Sequence, residues 1–109
     1  MDLEITPAEV KRRLDSGEKL HLIDCREPNE HAICNIAGAE LIPMNSTPQH
    51  LQHLEGLADD APIIVYCHHG MRSLMVVNWL RQQGVEECSS MSGGIDQWSL
   101  SIDPAVPRY

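Results

Sequence analysis

Cys67-His68-His69-Gly70-Met71-Arg72, followed by Ser73, is the segment of this chain whose residue types and spacing point most directly to chemistry. Sulfur is a strong nucleophile as thiolate, and an ordinary thiol with a pKa of about 8.5 is only a few per cent ionised at neutral pH. The surroundings of Cys67 are suited to shift that balance. The apolar run Ile63-Ile64-Val65-Tyr66 leads directly into it, and Leu74-Met75-Val76-Val77-Asn78-Trp79-Leu80-Arg81 follows as a helix. A cysteine between a strand end and a helix start meets inward-pointing backbone N–H groups and the positive end of the helix. Gly70 lets the backbone turn where a side chain would block it, and Arg72 adds a full positive charge. The same donors hold an anion. The expected chemistry is therefore attack by Cys67 on an anion with an electrophilic centre: thiosulfate, a polysulfide, phosphate or arsenate.

The side chains of His68 and His69 have two readings. They act as general bases, or they face solvent and shape the mouth while their backbone amides do the binding. A metal site built from Cys67, His68 and His69 is not expected, because adjacent residues seldom converge on one ion and no second ligand pair has zinc spacing. Cys25, Cys34 and Cys88 lack a glycine loop and read as buried structural thiols.

The elements that must position the loop follow from pattern and punctuation. Thr6-Pro7-Ala8-Glu9 opens a helix, with Thr6 as N-cap, Pro7 at the first helical position and Glu9 closing a capping box. Val10 and Leu14 supply its inward stripe, and Gly17 ends it. Leu20–Cys25 reads as a strand, residues around Glu30–Ile33 as one helical turn, and Glu40–Pro43 as a short strand. Ser46 or Thr47 with Pro48 is expected to cap a helix over Gln49–Leu57. Ile63–Tyr66 is uniformly apolar, as in a central parallel strand covered on both faces. The helix Arg72–Gln83 stops at Gly84, a weaker strand covers Glu87–Met91, a helix covers Ile95–Leu100, and the tail from Asp103 to Tyr109 is extended. Alternation of strands and helices predicts an α/β fold with a mostly parallel sheet of about five strands and helices on both faces. Such sheets carry their sites at the carboxyl ends of the strands, where Cys67 falls.

With 109 residues the chain fits one domain, residues 1–109. A net charge of −8 without a Lys/Arg cluster argues against nucleic-acid binding. No apolar run approaches membrane-spanning length, and Met1-Asp2-Leu3-Glu4 lacks the pattern of a signal peptide. Four cysteines without a C-x-x-C pair suit free thiols in a reducing, cytoplasmic setting. A monomer without metal or other cofactor is expected.

At these residues the chain resembles the rhodanese family of single-domain sulfurtransferases. Cys67-x-x-Gly70-x-Arg72 is similar to the family's active-site loop. Leu22-Ile23-Asp24-Cys25-Arg26-Glu27 is similar to its Asp-x-Arg-Glu motif, and Glu30, Ile36-x-Gly38-Ala39 and Ile42-Pro43 follow as in its first signature. Gly93-Gly94-Ile95-x-x-Trp98 matches its C-terminal motif. One departure is Cys34-Asn35, where the family usually has Gly-His. The resemblance implies a three-layer rhodanese-like fold and a two-step cycle. Cys67 takes a sulfane sulfur from a small donor such as thiosulfate, holds it as a persulfide, and passes it to a thiophilic acceptor that can be a protein thiol. It also implies that the amides from His68 through His69, Gly70 and Met71 to Arg72 hold the persulfide. Asp24, Arg26 and Glu30 would brace the scaffold by partnering one another, and Trp98 would be packing. Two alternatives share this chemistry: a persulfide carrier serving a protein partner, and a cysteine-dependent phosphatase or arsenate reductase of the same fold. The latter use a loop one residue longer, whereas four residues separate Cys67 from Arg72 here. A non-catalytic binding module of this family would commonly lack the cysteine.

Overall fold

The computed structural model describes residues 1–109. Five strands form one sheet in the order Glu4–Ile5, Cys88–Met91, Ile63–Tyr66, His21–Asp24, Glu40–Leu41, and every neighbouring pair is parallel. The strands are β1 (Glu4–Ile5), β2 (His21–Asp24), β3 (Glu40–Leu41), β4 (Ile63–Tyr66) and β5 (Cys88–Met91). The helices are α1 (Pro7–Asp15), α2 (Pro28–Ile33), α3 (Leu51–Asp60), α4 (Met71–Gln82) and α5 (Gly94–Ser101). The sheet is thus wholly parallel rather than mostly so. Its two-residue edge strand β1 was not expected, because two residues carry no period. Pairing with β5 makes it a strand, through Glu4 opposite Ser90 and Ile5 opposite Met91.

The central strand β4 is buried at all four positions, as its uniform apolarity predicts. One core lies on the side of α3 and α4, where Leu54, Val76, Val77 and Leu80 pack on Ile23, Val65 and Cys67. The other lies on the side of α1 and α5, where Val10, Ile95 and Trp98 pack on Leu22, Ile64 and Tyr66. Strict alternation along β2 and β4 feeds the two layers.

Three local expectations are corrected. At α1, Thr6 Oγ1 accepts from the Glu9 amide at 3.1 Å, but the Glu9 carboxylate turns to Arg12 and Arg13 instead of closing the box. The expected helix over Gln49–Leu57 is a 3-10 segment over Met44–His50 followed by α3. Pro48 sits inside that segment; it lacks an N–H and disfavours helical geometry in the residue before it, so α-helix propagates only beyond it. Ser46 Oγ bonds the Pro43 carbonyl rather than capping a helix. The tail is not extended throughout: Val106 N bonds Asp103 O at 3.1 Å, and this turn carries Tyr109 back to the carboxyl end of the sheet. No helix is long and apolar enough to cross a membrane.

Candidate active site

Cys67 lies one residue beyond the end of β4 and is almost wholly buried. Gly70, at φ +106°, turns the chain into α4. The Gly70 amide donates to Cys67 Sγ at 3.1 Å, and the Ser73 amide does so at 3.4 Å. The amides of His68, His69, Met71 and Arg72 make no such bond, so the donor set is narrower than expected and extends one residue further, to Ser73. The Ser73 hydroxyl stands 3.5 Å from Sγ and 2.7 Å from Ser90 Oγ on β5. A hydroxyl has one proton. With Cys67 ionised, the Ser73 proton faces both sulfur and the Gly70 carbonyl, 3.2 Å away, while Ser73 accepts a bond from Ser90.

These contacts act on the thiol in one direction. The neighbouring Cys25 thiol, then the Ser73 hydroxyl and the Ser73 and Gly70 amides, outweigh burial and hold Cys67 at a pKa of about 4. Hydrogen bonds to the charged form favour it.

The loop's other side is clamped by α5. The first amides of a helix have no intrahelical partner. Here Ile95 N donates to Cys67 O at 2.9 Å and Asp96 N to His68 O at 3.1 Å. With those carbonyls tied down, the loop is held in the turn that brings the Gly70 amide to sulfur. The clamp requires close approach, which explains Gly94, while Gly93 serves the turn into α5 at φ +75°. Gly94 has φ +61°, and a Cβ there would stand 2.5 Å from the Cys67 carbonyl oxygen. Gly94→Ala is expected to cost about 1–3 kcal/mol from backbone strain alone, and more from the collision. Thermal unfolding should show a loss at least that large, and a change below it would mean that the loop has room to move.

Asp24 and Arg26, both fully buried, form a fork pair at the end of β2, with Nε–Oδ1 at 2.8 Å and Nη2–Oδ2 at 2.7 Å. Burial opposes ionisation of Asp24, but the bonds from Arg26 and His31 prevail and keep its carboxyl below the usual range. Arg26 also bonds the Cys34 carbonyl at 2.6 Å, which ties β2 to the end of α2. Asn35, beside it, bonds back to the His31 carbonyl.

The expectation that Asp24, Arg26 and Glu30 partner one another is half corrected. Glu30 instead grips Arg72 in a second fork, at 2.7 and 2.9 Å, and takes a bond from Tyr109 at 2.7 Å. Arg72 foremost, against burial, pulls Glu30 down to about 2. Arg72 is therefore a compensated charge rather than a free cation, and the donors touching sulfur are neutral. The His68 ring lies 3.9 Å from both the His69 ring and the Tyr109 ring, stacked on each. His69 Nε2 approaches Asp96 Oδ2 at 3.8 Å, and Asp96 is already paired with Arg108. Met71 is exposed. Ser73, Ser90, His31, Asp96 and Tyr109 were missed in the sequence. Ser73 alone had a local signal, as a hydroxyl in the first turn of the helix after the loop.

A sequence model described as Rhodanese-like domain matches residues 6–101. The chain is 39% identical to "Thiosulfate sulfurtransferase GlpE" of Haemophilus influenzae, over 94% of this chain and 95% of that protein. It is 37% identical to "Probable adenylyltransferase/sulfurtransferase MoeZ" of Mycobacterium tuberculosis, covering 96% of this chain but only 26% of that longer protein. The chain thus spans about a quarter of that relative's length. Among solved structures, SSP1007 of Staphylococcus saprophyticus superposes with a TM-score of 0.82 at 32% identity, over 98% of this chain and all of that one.

Proposed function

Because the chain belongs to the rhodanese-like domain family, we propose that it is a sulfurtransferase that moves a sulfane sulfur through a persulfide on Cys67. The Cys67 thiolate attacks the outer sulfur of a donor such as thiosulfate. The S–S bond of the donor breaks, sulfite departs with the electron pair, and a perthiolate remains on Cys67. A thiophilic acceptor, small molecule or protein thiol, attacks the outer sulfur and regenerates the thiolate. The observation that carries this reading is the thiolate cradle, in which a buried sulfur faces the Gly70 and Ser73 amides and the Ser73 hydroxyl. A full-length relative named for thiosulfate sulfurtransfer supports thiosulfate as donor. We assign donor contact to the loop residues that follow Cys67, namely His68, His69, Gly70, Met71 and Arg72. The four residues between Cys67 and Arg72 make a tight loop that suits one added sulfur better than a tetrahedral oxyanion.

The test is to incubate the protein with thiosulfate and weigh it intact. A gain of one sulfur atom that a thiol acceptor removes is expected, and no gain from thiosulfate or from a polysulfide would overturn the reading. The pH profile is a second check. The thiolate fraction falls only as pH drops through about 4. The loading rate should therefore stay nearly flat from about pH 8 to about pH 5, whereas a thiol of ordinary pKa would lose about tenfold per unit over that range.

A second reading, carriage of persulfide to a protein partner, has its own observation. Met71 and Met75 stand one turn apart on α4, 81% and 61% exposed. Met75 borders an apolar groove lined by Met44, Pro48 and Trp79. Flexible exposed methionines suit an adaptable protein contact. Fast loading with poor turnover on small thiols would favour this reading, and matched rates would favour the first.

A further inference from the structure

Cys25 stands one residue beyond the end of β2, as Cys67 does beyond β4. The register of these two parallel strands, ending in Asp24 opposite Tyr66, continues through the bond from Cys25 N to Tyr66 O at 3.0 Å. Cys25 and Cys67 are therefore cross-strand neighbours on one face, and both are buried in the same core cluster. Adjacent strands lie about 4.8 Å apart, within the separation of about 4.4–6.8 Å between Cα atoms that a disulfide spans. The two thiols influence each other more than any other group influences either: Cys25 lowers Cys67, and Cys67 pushes Cys25 up. They hold one proton between them at neutral pH, on Cys25.

The other cysteines are elsewhere. Cys34 packs in the core on the opposite side of the sheet. Cys88 pairs with Ile63 at the far end of β4, four residues and about 13 Å along the strand from Cys67.

We propose that Cys25 is a resolving thiol, which attacks the inner sulfur of the Cys67 persulfide, closes a Cys25–Cys67 disulfide and expels hydrosulfide. This rests on the persulfide reading given above. The step balances without an external oxidant. The Cys25 sulfur forms a bond to Cys67 Sγ, and the bond from Sγ to the outer sulfur breaks. The outer sulfur leaves with the electron pair and takes the Cys25 proton. The Cys25 and Cys67 sulfurs together are oxidised by two electrons, from two thiols to a disulfide, and the sulfane sulfur is reduced by two, to hydrosulfide. Loading prepares the step, because the negative charge moves from Sγ to the outer sulfur, away from the Cys25 thiol. The donors from Gly70 and Ser73 come from the loop after Cys67, while Cys25 approaches from the neighbouring strand. A dithiol reductant then reopens the disulfide by exchange and restores the resting pair. The protein would so convert sulfane sulfur to hydrosulfide when no acceptor arrives, and rest as a disulfide until a dithiol is present.

The experiment loads the full chain with thiosulfate, removes the donor without oxygen, and follows intact mass and released sulfide over time. Wild type is expected to gain one sulfur, then lose it and finish two hydrogens lighter than the starting protein, with one sulfide released per chain. Peptide mapping should then join the Cys25 and Cys67 peptides. Cys25→Ser, loaded to whatever extent it accepts sulfur, should keep the persulfide at least about tenfold longer. A wild-type persulfide that persists with no Cys25–Cys67 linkage overturns the resolving role and leaves the persulfide reading standing. A wild type that gains no sulfur from thiosulfate or polysulfide overturns both. The map of the wild type decides the matter even if the variant folds poorly.

Discussion

Cys67→Ser is expected to abolish sulfur loading while leaving the fold in place. A serine hydroxyl at this position ionises far less readily than a thiol, and the cradle that brings the sulfur to a pKa of about 4 cannot bring a hydroxyl into range. A drop of more than about three orders of magnitude in loading follows, the scale on which removal of an activated nucleophile acts. The substitution is nearly isosteric, and the hydroxyl oxygen still accepts from the Gly70 and Ser73 amides, so unfolding should move little. Intact mass after thiosulfate treatment and a thermal melt on the same sample check both halves. Sulfur appearing on Cys67→Ser would place the nucleophile elsewhere, with Cys25 the first candidate on position. Lost loading together with a collapsed melt would make the effect structural.

The largest stability effect is expected at Asp24. Asp24→Ala leaves Arg26, fully buried, without the carboxylate that takes its Nε and Nη2 donors. Removing one partner of a buried pair costs about 3–5 kcal/mol, because the remaining charge is stranded. For a domain of this size each kcal/mol moves the melting temperature by about 4 °C or more, so a fall on the order of 10–20 °C should appear. Loading should fall as well, since Arg26 also holds the Cys34 carbonyl and the Tyr109 hydroxyl beside the loop. Asp24 has its pKa depressed in the folded state. Its contribution is present above the unfolded carboxylate value of about 3.9 and disappears as pH falls through the lower folded value. The difference between wild type and Asp24→Ala should therefore shrink in strong acid. A loss below about 1 kcal/mol at neutral pH would show that water reaches Arg26 and that the pair is not a brace.

Much of the site was legible because its parts are local. A strand end, a loop with one glycine and a helix start occupy residues 63 to 82 without interruption. Local chain geometry turns the Gly70 amide toward the sulfur, and the clamp from α5 holds it there. The fold class was legible for the same reason: β2 and β4 carry consecutive apolar residues, and the helices between strands carry caps and breakers. The failures share a different cause. The edge strand β1 is too short to show a period and exists only by pairing with β5. The 3-10 segment at Met44–His50 arises from Pro48 competing with capping residues that, read alone, favoured a helix.

Sequence by itself determined that this chain builds a parallel α/β sheet with Cys67 at a strand end before a helix and Arg72 in the same loop. Residue type and short-range spacing decide such things, because backbone sterics and hydrogen bonding act over a few residues. Tertiary structure alone decided which charges meet. Glu30 takes Arg72 rather than Arg26, across 42 residues. Tyr109 bonds Arg26 and Glu30 and stacks on His68 from the far end of the chain. The first amides of α5 hold the carbonyls of the Cys67 loop. It also decided that Cys25, unremarkable in sequence, lies against Cys67, since strand register brings together residues 42 positions apart. A side chain's partner is set by which strand ends the sheet places side by side, and strand order is written in no local pattern.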